Sequence, residues 1–245
     1  MIKLHISRSG KDTPFEKEIY MDLLQAMRNR HSVRSYTNKP IEGEVKEKLS
    51  ALIAQCNGES GLHIQLVLDE PNAFDSMMAH YGKFSGVRNY IVMAGKKTAE
   101  LEETCGYYGE QLVLRAQQLG LNTCWVALTY KKNKSRIAIS PGEKLACVIA
   151  IGYGAAQGVP HRSKPAEAVC RAGEPVPPWF RAGVEAALLA PTAMNQQKFL
   201  FTLGEDGGVS ARATGGFYSH IDLGIVKYHF QLGAGRESFR WLDET

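Results

Sequence analysis

Apolar residues recur along the chain at two spacings, and the longer spacing predicts helices. Ile19, Leu23 and Met27 follow one another at three to four residues, which is typical of a helix with one buried face. Gly120 and Gly233 each follow such a stretch and suit a helix C-terminus. This spacing predicts five helices, over residues 16–30, 43–55, 106–120, 179–189 and 221–232.

Alternating or continuous apolar stretches of five to eight residues predict strands between these helices. Leu62, Ile64 and Leu66 alternate with polar residues, as in a strand that is buried on one face. Residues 155–178 are rich in Pro, Gly, Arg and Lys, and we interpret them as a connecting arm. The predicted strands cover residues 2–7, 62–68, 90–94, 121–128, 145–152 and 199–203.

The order helix, loop and strand occurs twice, which suggests an internal duplication. An ungapped shift of 135 residues places Pro40 on Pro175, Val45 on Phe180 and Ile64 on Phe199. The loop at residues 57–60 then falls on residues 192–195. A weaker match relates the helices before Gly120 and Gly233. The alternative is that any two helix–loop–strand units look alike at this level.

Composition narrows the classes of function. The 245 residues are 44% hydrophobic, which is enough apolar material for one large core or two small ones. The net charge of +4 is not gathered into a basic stripe with aromatics, which disfavours nucleic acid as a partner. Five cysteines without a CxxC pair favour reduced thiols in the cytoplasm. We expect no metal site and no membrane-spanning helix.

A basic motif follows the first predicted helix. Arg30, Ser32 and Arg34 lie two residues apart, so their side chains can share a face of an extended segment, with His31 between them. Arginine guanidinium groups donate paired hydrogen bonds that match a phosphate. The motif is therefore a candidate site for a phosphate monoester, and the alternative is an exposed basic helix end.

A second candidate is the turn after the fourth predicted helix. Pro191 ends that helix, and Thr192, Asn195 and Gln197 follow within six residues. Amide side chains donate and accept hydrogen bonds at once, which suits a ring edge with both carbonyl oxygens and ring nitrogens, such as an isoalloxazine. The alternative is an ordinary helix stop.

Two further segments could complete a ligand site. The strand end near Leu128 and Thr129 can offer backbone N–H groups to a ring. Arg162 and Lys164, in the connecting arm, could close over a phosphate from the other side, although a solvated basic linker is the alternative.

Taken in order, these segments resemble the FMN-dependent nitroreductase family. Its R-x-S-x-R motif is matched by residues 30–34, its G-L-x-x-C-W segment by residues 120–125, and its A-P-S-x-x-N-x-Q loop by residues 190–197. One departure is visible, because the family's proline–asparagine loop normally follows the second helix, where this chain has residues 55–60. The matching loop comes instead from the second copy of the repeat.

The resemblance implies an α+β fold with mixed, largely antiparallel sheets flanked by helices, in two lobes at residues 1–165 and 166–245. It implies FMN between the lobes, NAD(P)H as electron donor and a small nitroaromatic, quinone or flavin acceptor. It also implies a monomeric pseudo-dimer or a homodimer, with no essential acid–base side chain. The alternative is a flavin-binding or sensing protein without turnover. The implied FMN contacts are Arg30, His31, Ser32, Arg34, Leu128, Thr129, Arg162, Lys164, Pro191, Thr192, Asn195 and Gln197.

Overall fold

The chain folds around two four-stranded sheets. The computed structural model describes residues 23–71, 83–126 and 136–242. The first sheet has the order β1-β2-β4-β3 and is antiparallel throughout. Strand β2 up to Gly95 and the second half of β4, from Cys147 to Gly152, are buried because both faces are covered there, and they therefore read as continuous apolar stretches. The strands are β1 (Gln65–Val67), β2 (Tyr90–Lys96), β3 (Asn122–Val126) and β4 (Glu143–Gly152).

The second sheet is mixed and has the order β5-β6-β7-β8. Its two central strands form an antiparallel hairpin, and each edge strand pairs in parallel with the strand beside it. Phe199 and Phe201 on the inner face of the hairpin contribute to an aromatic core. The strands are β5 (Cys170–Arg171), β6 (Phe199–Leu203), β7 (Gly208–Ala213) and β8 (Arg240–Trp241).

Helices join the two sheets through a shared core. The helices are α1 (residues 23–29), α2 (Gly43–Ser60), α3 (Leu101–Gln118), α4 (Pro178–Ala187) and α5 (Ser219–Ala234). Helix α5, which is almost wholly buried, packs on α3 and α4. At the crossing of α3 and α5, a Cβ atom on Gly224 would lie only 1.9 Å from the carbonyl oxygen of Glu103. The two helix backbones are therefore in direct contact.

The five predicted helices and the predicted strands that lie in the described residues are present in the structure, with differences at their ends. The second helix continues to Ser60, whereas the sequence predicts a loop at residues 57–60. Asn57 remains in the helix, and its side-chain amide forms two hydrogen bonds with the backbone of Ile64 in the segment that follows. Gly233 does not cap α5, because it lies inside the helix, where a Cβ would approach Ala186 to 2.4 Å. Strands β5, β7 and β8 were not predicted, and β5 lies within the segment that was interpreted as a connecting arm. The predicted strand at residues 2–7 lies outside the described residues.

The proposed repeat has a partial structural counterpart. Helices α2 and α4 begin at Gly43 and Pro178, which are 135 residues apart, and each is followed by a strand. The prediction that residues 57–60 and 192–195 are equivalent loops is wrong, because the first segment is helical and the second is a turn. The duplication and the lobe boundary at residue 165 stay predictions.

Candidate functional site

A cleft lies where the first sheet meets the turn after α4. It is open to solvent on one side and has a volume of about 130 Å³. Its front wall contains Ser32 and Arg34, and its rear wall contains Pro191 and Thr192, so two distant segments of one chain meet there. The other lining residues are Cys124, Trp125, Val126, Cys147, Ala193, Met194, Tyr218, Ile221, Asp222 and Ile225.

The front wall is an extended segment fixed to the edge strand β3. The amide of Val33 donates to the carbonyl of Thr123 at 3.0 Å, and Ser32 forms a parallel bridge with the same residue. Val33 is buried, so its neighbours on either side face the cleft. Arg34 is exposed, and its guanidinium has no hydrogen bond or ion pair with a described residue. A cationic donor without a partner among the described residues therefore stands at the cleft.

Arg30 does not join this wall. It is the last residue of the turn that closes α1, since its amide donates to Ala26 at 2.9 Å, and alternation along an extended segment does not apply there. Its side chain is 4% exposed, and Nε lies 3.8 Å from Oε1 of Glu110. Burial lowers the pKa of Arg30, and the charge of Glu110 offsets part of that shift. Arg30 is therefore part of the core.

The carboxylate of Glu110 on α3 is the centre of this buried polar cluster. Its Oε1 lies 2.9 Å from Nε2 of His229 on α5, while Oε2 accepts a hydrogen bond from Nε1 of Trp125 at 3.0 Å. The other ring nitrogen of His229 lies 3.1 Å from the carbonyl of Ala186 on α4. Since Trp125 also lines the cleft, the cluster fixes one cleft wall to three helices.

The rear loop, residues 192–197, has an unusual backbone. Met194, Asn195 and Gln197 all have φ between 46° and 54°, in the left-handed region that side chains other than glycine rarely adopt. A short 3₁₀ turn, Ala193–Asn195, precedes the last of them. Such residues cost about 1–2 kcal/mol each unless the surroundings hold them, so the loop depends on outside contacts.

The amide side chains of the rear loop hold the connecting arm. Nδ2 of Asn195 and Nε2 of Gln197 both donate to the carbonyl of Arg162, at 2.9 and 2.8 Å. The amide of Lys164 donates to Oε1 of Gln197, and its ammonium donates to the carbonyls of Gln196 and Gln197. None of these four predicted site residues, Asn195, Gln197, Arg162 and Lys164, lines the cleft.

The arm also approaches the basic motif. A Cβ on Gly158 would lie 2.9 Å from that of His31. Burial, the charge of Arg30 and that of His161 lower the pKa of His31, while a backbone hydrogen bond opposes the shift. His31 therefore lies beside other cations at the edge of the front wall. Leu128 and Thr129 lie outside the described residues.

The sequence analysis missed Asp222, in the first turn of α5. It is 3% exposed and lines the cleft. Its Oδ1 accepts from the amide of Ala193 at 2.9 Å, and its Oδ2 accepts from Nε2 of Gln196 at 2.7 Å. Burial raises its pKa to about 6, partly offset by these two hydrogen bonds. The available signal was the only acidic residue of a helix that is otherwise rich in apolar residues.

Cys124 behaves as a buried thiol. It is 4% exposed on β3, and burial raises its pKa, with smaller opposing effects from Arg34, the Ser32 hydroxyl and Arg30. A thiol in this state is a poor nucleophile at neutral pH. Within the described ranges, no three His, Cys, Asp or Glu side chains cluster as metal ligands do, and no helix is long and apolar enough to cross a bilayer.

Comparison with known proteins links this chain to a family. A family model described as "Putative TM nitroreductase" matches residues 22–234, which is most of the chain. A crystal structure from Thermotoga maritima, described as a putative nitroreductase, has the same fold, with a TM-score of 0.66 and 22% identity. The alignment covers 99% of this chain and 94% of that one. No curated protein sequence gives a significant match.

Smaller structures resemble part of the chain. One from Desulfovibrio desulfuricans, described as a putative nitroreductase in complex with FMN, is 22% identical, with a TM-score of 0.48 over 63% of this chain and 98% of that one. One from Clostridium acetobutylicum, described as a putative NADH oxidase, is 23% identical, with a TM-score of 0.45 over 59% and 96%.

Proposed function

This chain belongs to the nitroreductase family, and on that premise we propose that it binds FMN in the cleft and passes electrons from NAD(P)H to a small acceptor. The observation that carries the proposal is that Arg34 and Ser32 line one cleft together with Pro191 and Thr192. These are the two segments in which the sequence resembles the family's flavin-binding motifs.

The cleft has the chemistry that FMN requires. Arg34 is an exposed guanidinium without a described partner, which suits a phosphate. Ser32 stands beside it and would contact the ribityl hydroxyls. Trp125, Ile221 and Ile225 offer apolar surface to a flat ring, as in other largely apolar ligand sites. When bound, FMN supplies the redox chemistry, and the protein supplies binding and orientation.

The remaining predicted contacts take more specific roles in this proposal. Pro191 and Thr192 would face the ring edge, and the backbone of Leu128 and Thr129 is proposed to face the ring. His31 and Arg162 would approach the phosphate from the arm side, and Lys164 would do so by exchanging the hydrogen bonds that its ammonium makes to the carbonyls of Gln196 and Gln197. Asn195 and Gln197 would act indirectly, by holding the rear loop in place, because their side-chain amides already form hydrogen bonds with the arm and with each other. Arg30 would support the site from the core.

The first experiment measures flavin binding by the full chain. FMN added to the purified protein should be bound with a shifted visible spectrum and quenched fluorescence. Arg34→Ala should weaken FMN binding by about 10- to 100-fold, since a hydrogen bond to a charged group contributes about 1.5–3 kcal/mol. Arg212→Ala, which removes an exposed arginine from β7, should leave the affinity unchanged. Equal affinities for the three proteins would refute the assigned site.

The second experiment distinguishes an enzyme from a flavin-binding protein without turnover. The FMN-loaded protein is mixed with NADH or NADPH and with a quinone or a nitroaromatic acceptor, and nicotinamide oxidation is followed at 340 nm, the wavelength at which reduced nicotinamide absorbs. We expect acceptor-dependent oxidation that saturates with each substrate. A stable FMN complex that shows no oxidation with either nucleotide would favour the binding or sensing function.

A further inference from the structure

The rear loop meets the cleft in a conformation that it cannot hold alone. Its left-handed residues Met194, Asn195 and Gln197 follow Thr192 and Ala193, which line the cleft together with Met194. Within the loop, the Thr192 hydroxyl accepts from the amide of Gln197 at 3.1 Å. That local bond spans the turn, but it does not tie the turn to the rest of the molecule.

The amides of Asn195 and Gln197 tie the loop to the connecting arm, and Asp222 ties it to α5. The two carboxylate oxygens of Asp222 accept one hydrogen bond each from the loop, from the backbone of Ala193 and from the side chain of Gln196. The same Nε2 of Gln196 also donates to the carbonyl of Phe217 at 2.8 Å, just before the helix. Because this amide nitrogen faces two acceptors, Gln196 cannot reverse its amide without placing oxygen against oxygen.

We propose that Asp222 is a positioning residue for flavin binding, whose ionised carboxylate holds the rear loop in the shape that presents Thr192 and Ala193 to the cleft. This inference rests on the proposed FMN site. It assigns a role to an acidic side chain, whereas the site residues predicted from the sequence include no acidic residue. The ionised carboxylate suits this role because neither oxygen carries a proton, so both can accept the loop's donors without a competing O–H group and with a full negative charge.

Among the described residues, the charge of the Asp222 carboxylate is stabilised by these two hydrogen bonds. The ionisable side chains that line the cleft with it are Arg34 from the front wall, Cys124 from β3, Cys147 from β4 and Tyr218 at the start of its own helix. None of them forms a described hydrogen bond with the carboxylate, and burial is the main cause of its raised pKa of about 6. Below that pH the carboxyl gains a proton and loses one of its acceptor sites.

The loop itself can be tested without flavin. Asp222→Asn keeps an oxygen for the amide of Ala193 but places an NH₂ group against Nε2 of Gln196. Hydrogen exchange of the full chain, followed by mass spectrometry, should show at least about tenfold faster exchange in residues 192–197, with unchanged exchange in β2. Asp206→Asn, the same change in an exposed turn, should match the unmodified chain. Unchanged exchange in the Asp222 variant would overturn the proposal.

Flavin affinity across pH tests the role of the charge. At pH 7.5, Asp222→Asn should bind FMN about tenfold or more weakly than the unmodified chain, as expected for the loss of one charge-assisted hydrogen bond. The gap should close by pH 5, where Asp222 is protonated. The comparison cancels the titration of His31 and of the flavin phosphate, which both proteins share. Equal affinities at pH 7.5, or a gap that persists at pH 5, would overturn the proposal.

These measurements separate the inference from the proposed function. If the unmodified chain binds no FMN at any pH, the proposed function fails, and the exchange experiment still decides whether Asp222 holds the loop. If FMN binds and Arg34→Ala weakens it while Asp222→Asn changes neither exchange nor affinity, only the inference fails.

Discussion

Replacing Gly224 with alanine tests the direct backbone contact between α3 and α5. The added Cβ would lie 1.9 Å from the carbonyl oxygen of Glu103 and 2.6 Å from the amide nitrogen of Tyr107. Both are backbone atoms of α3, so no side-chain rotation relieves the clash, and α3 and α5 must separate by more than 1 Å, given that ordinary contacts begin at about 3.4 Å.

The cost follows from two opposing effects. Overpacking costs about 1–3 kcal/mol when side chains can adjust and more when they cannot, whereas alanine in place of a helical glycine gains up to about 1 kcal/mol. We therefore expect Gly224→Ala to lower the free energy of unfolding by about 2 kcal/mol or more. Gly106→Ala should behave alike, because its Cβ would lie 2.1 Å from the carbonyl oxygen of Ile221 at the same crossing.

Urea unfolding followed by far-ultraviolet circular dichroism measures these changes by linear extrapolation. Gly58→Ala is the matched control, because Gly58 lies on the exposed face of α2, where an added Cβ would meet no other atom within 4 Å. That variant should be more stable by about 0.5–1 kcal/mol. If Gly224→Ala is as stable as the unmodified chain, the two backbones do not touch, and the reasoning is wrong.

Two further predictions concern buried charges. Glu110→Ala should destabilise the fold by about 3–5 kcal/mol, because Arg30 loses its counter-charge inside the core. Urea unfolding measures this change, with Glu185→Ala as the exposed control. A loss of stability below about 1 kcal/mol would contradict the prediction. Asp222 has a folded pKa raised to about 6 from 3.8, so the folded state binds its proton first. The stability of the unmodified chain relative to Asp222→Asn should therefore rise by about 3 kcal/mol as the pH falls from 7 to below 4, and a flat or falling difference would refute the assigned burial.

The opposite pH trends expected for stability and for flavin binding share one cause. Ionised Asp222 is costly to bury, which lowers the stability of the fold at neutral pH. The same ionised form has the two acceptors that the rear loop needs. A residue that lowers stability while it shapes a cleft is typical of a functional site.

The sequence by itself determined the kinds of element, the α+β class and the family. Helical and alternating spacing reflect which face of each element is buried, and that information is local. The residues of the front and rear walls, Ser32, Arg34, Pro191 and Thr192, were also identified in sequence, because each lies in a short motif with a recognisable chemistry.

Only the tertiary structure decided where the other polar side chains point. Arg30 belongs to the same motif as Arg34, yet it turns into the core because Glu110, 80 residues later, supplies a buried counter-charge. Asn195 and Gln197 bind the arm, and Asp222 binds the rear loop, through contacts between segments distant in sequence. A one-dimensional pattern records which residues are polar, but the partner that satisfies each of them is set by packing, and packing exists only after the chain has folded.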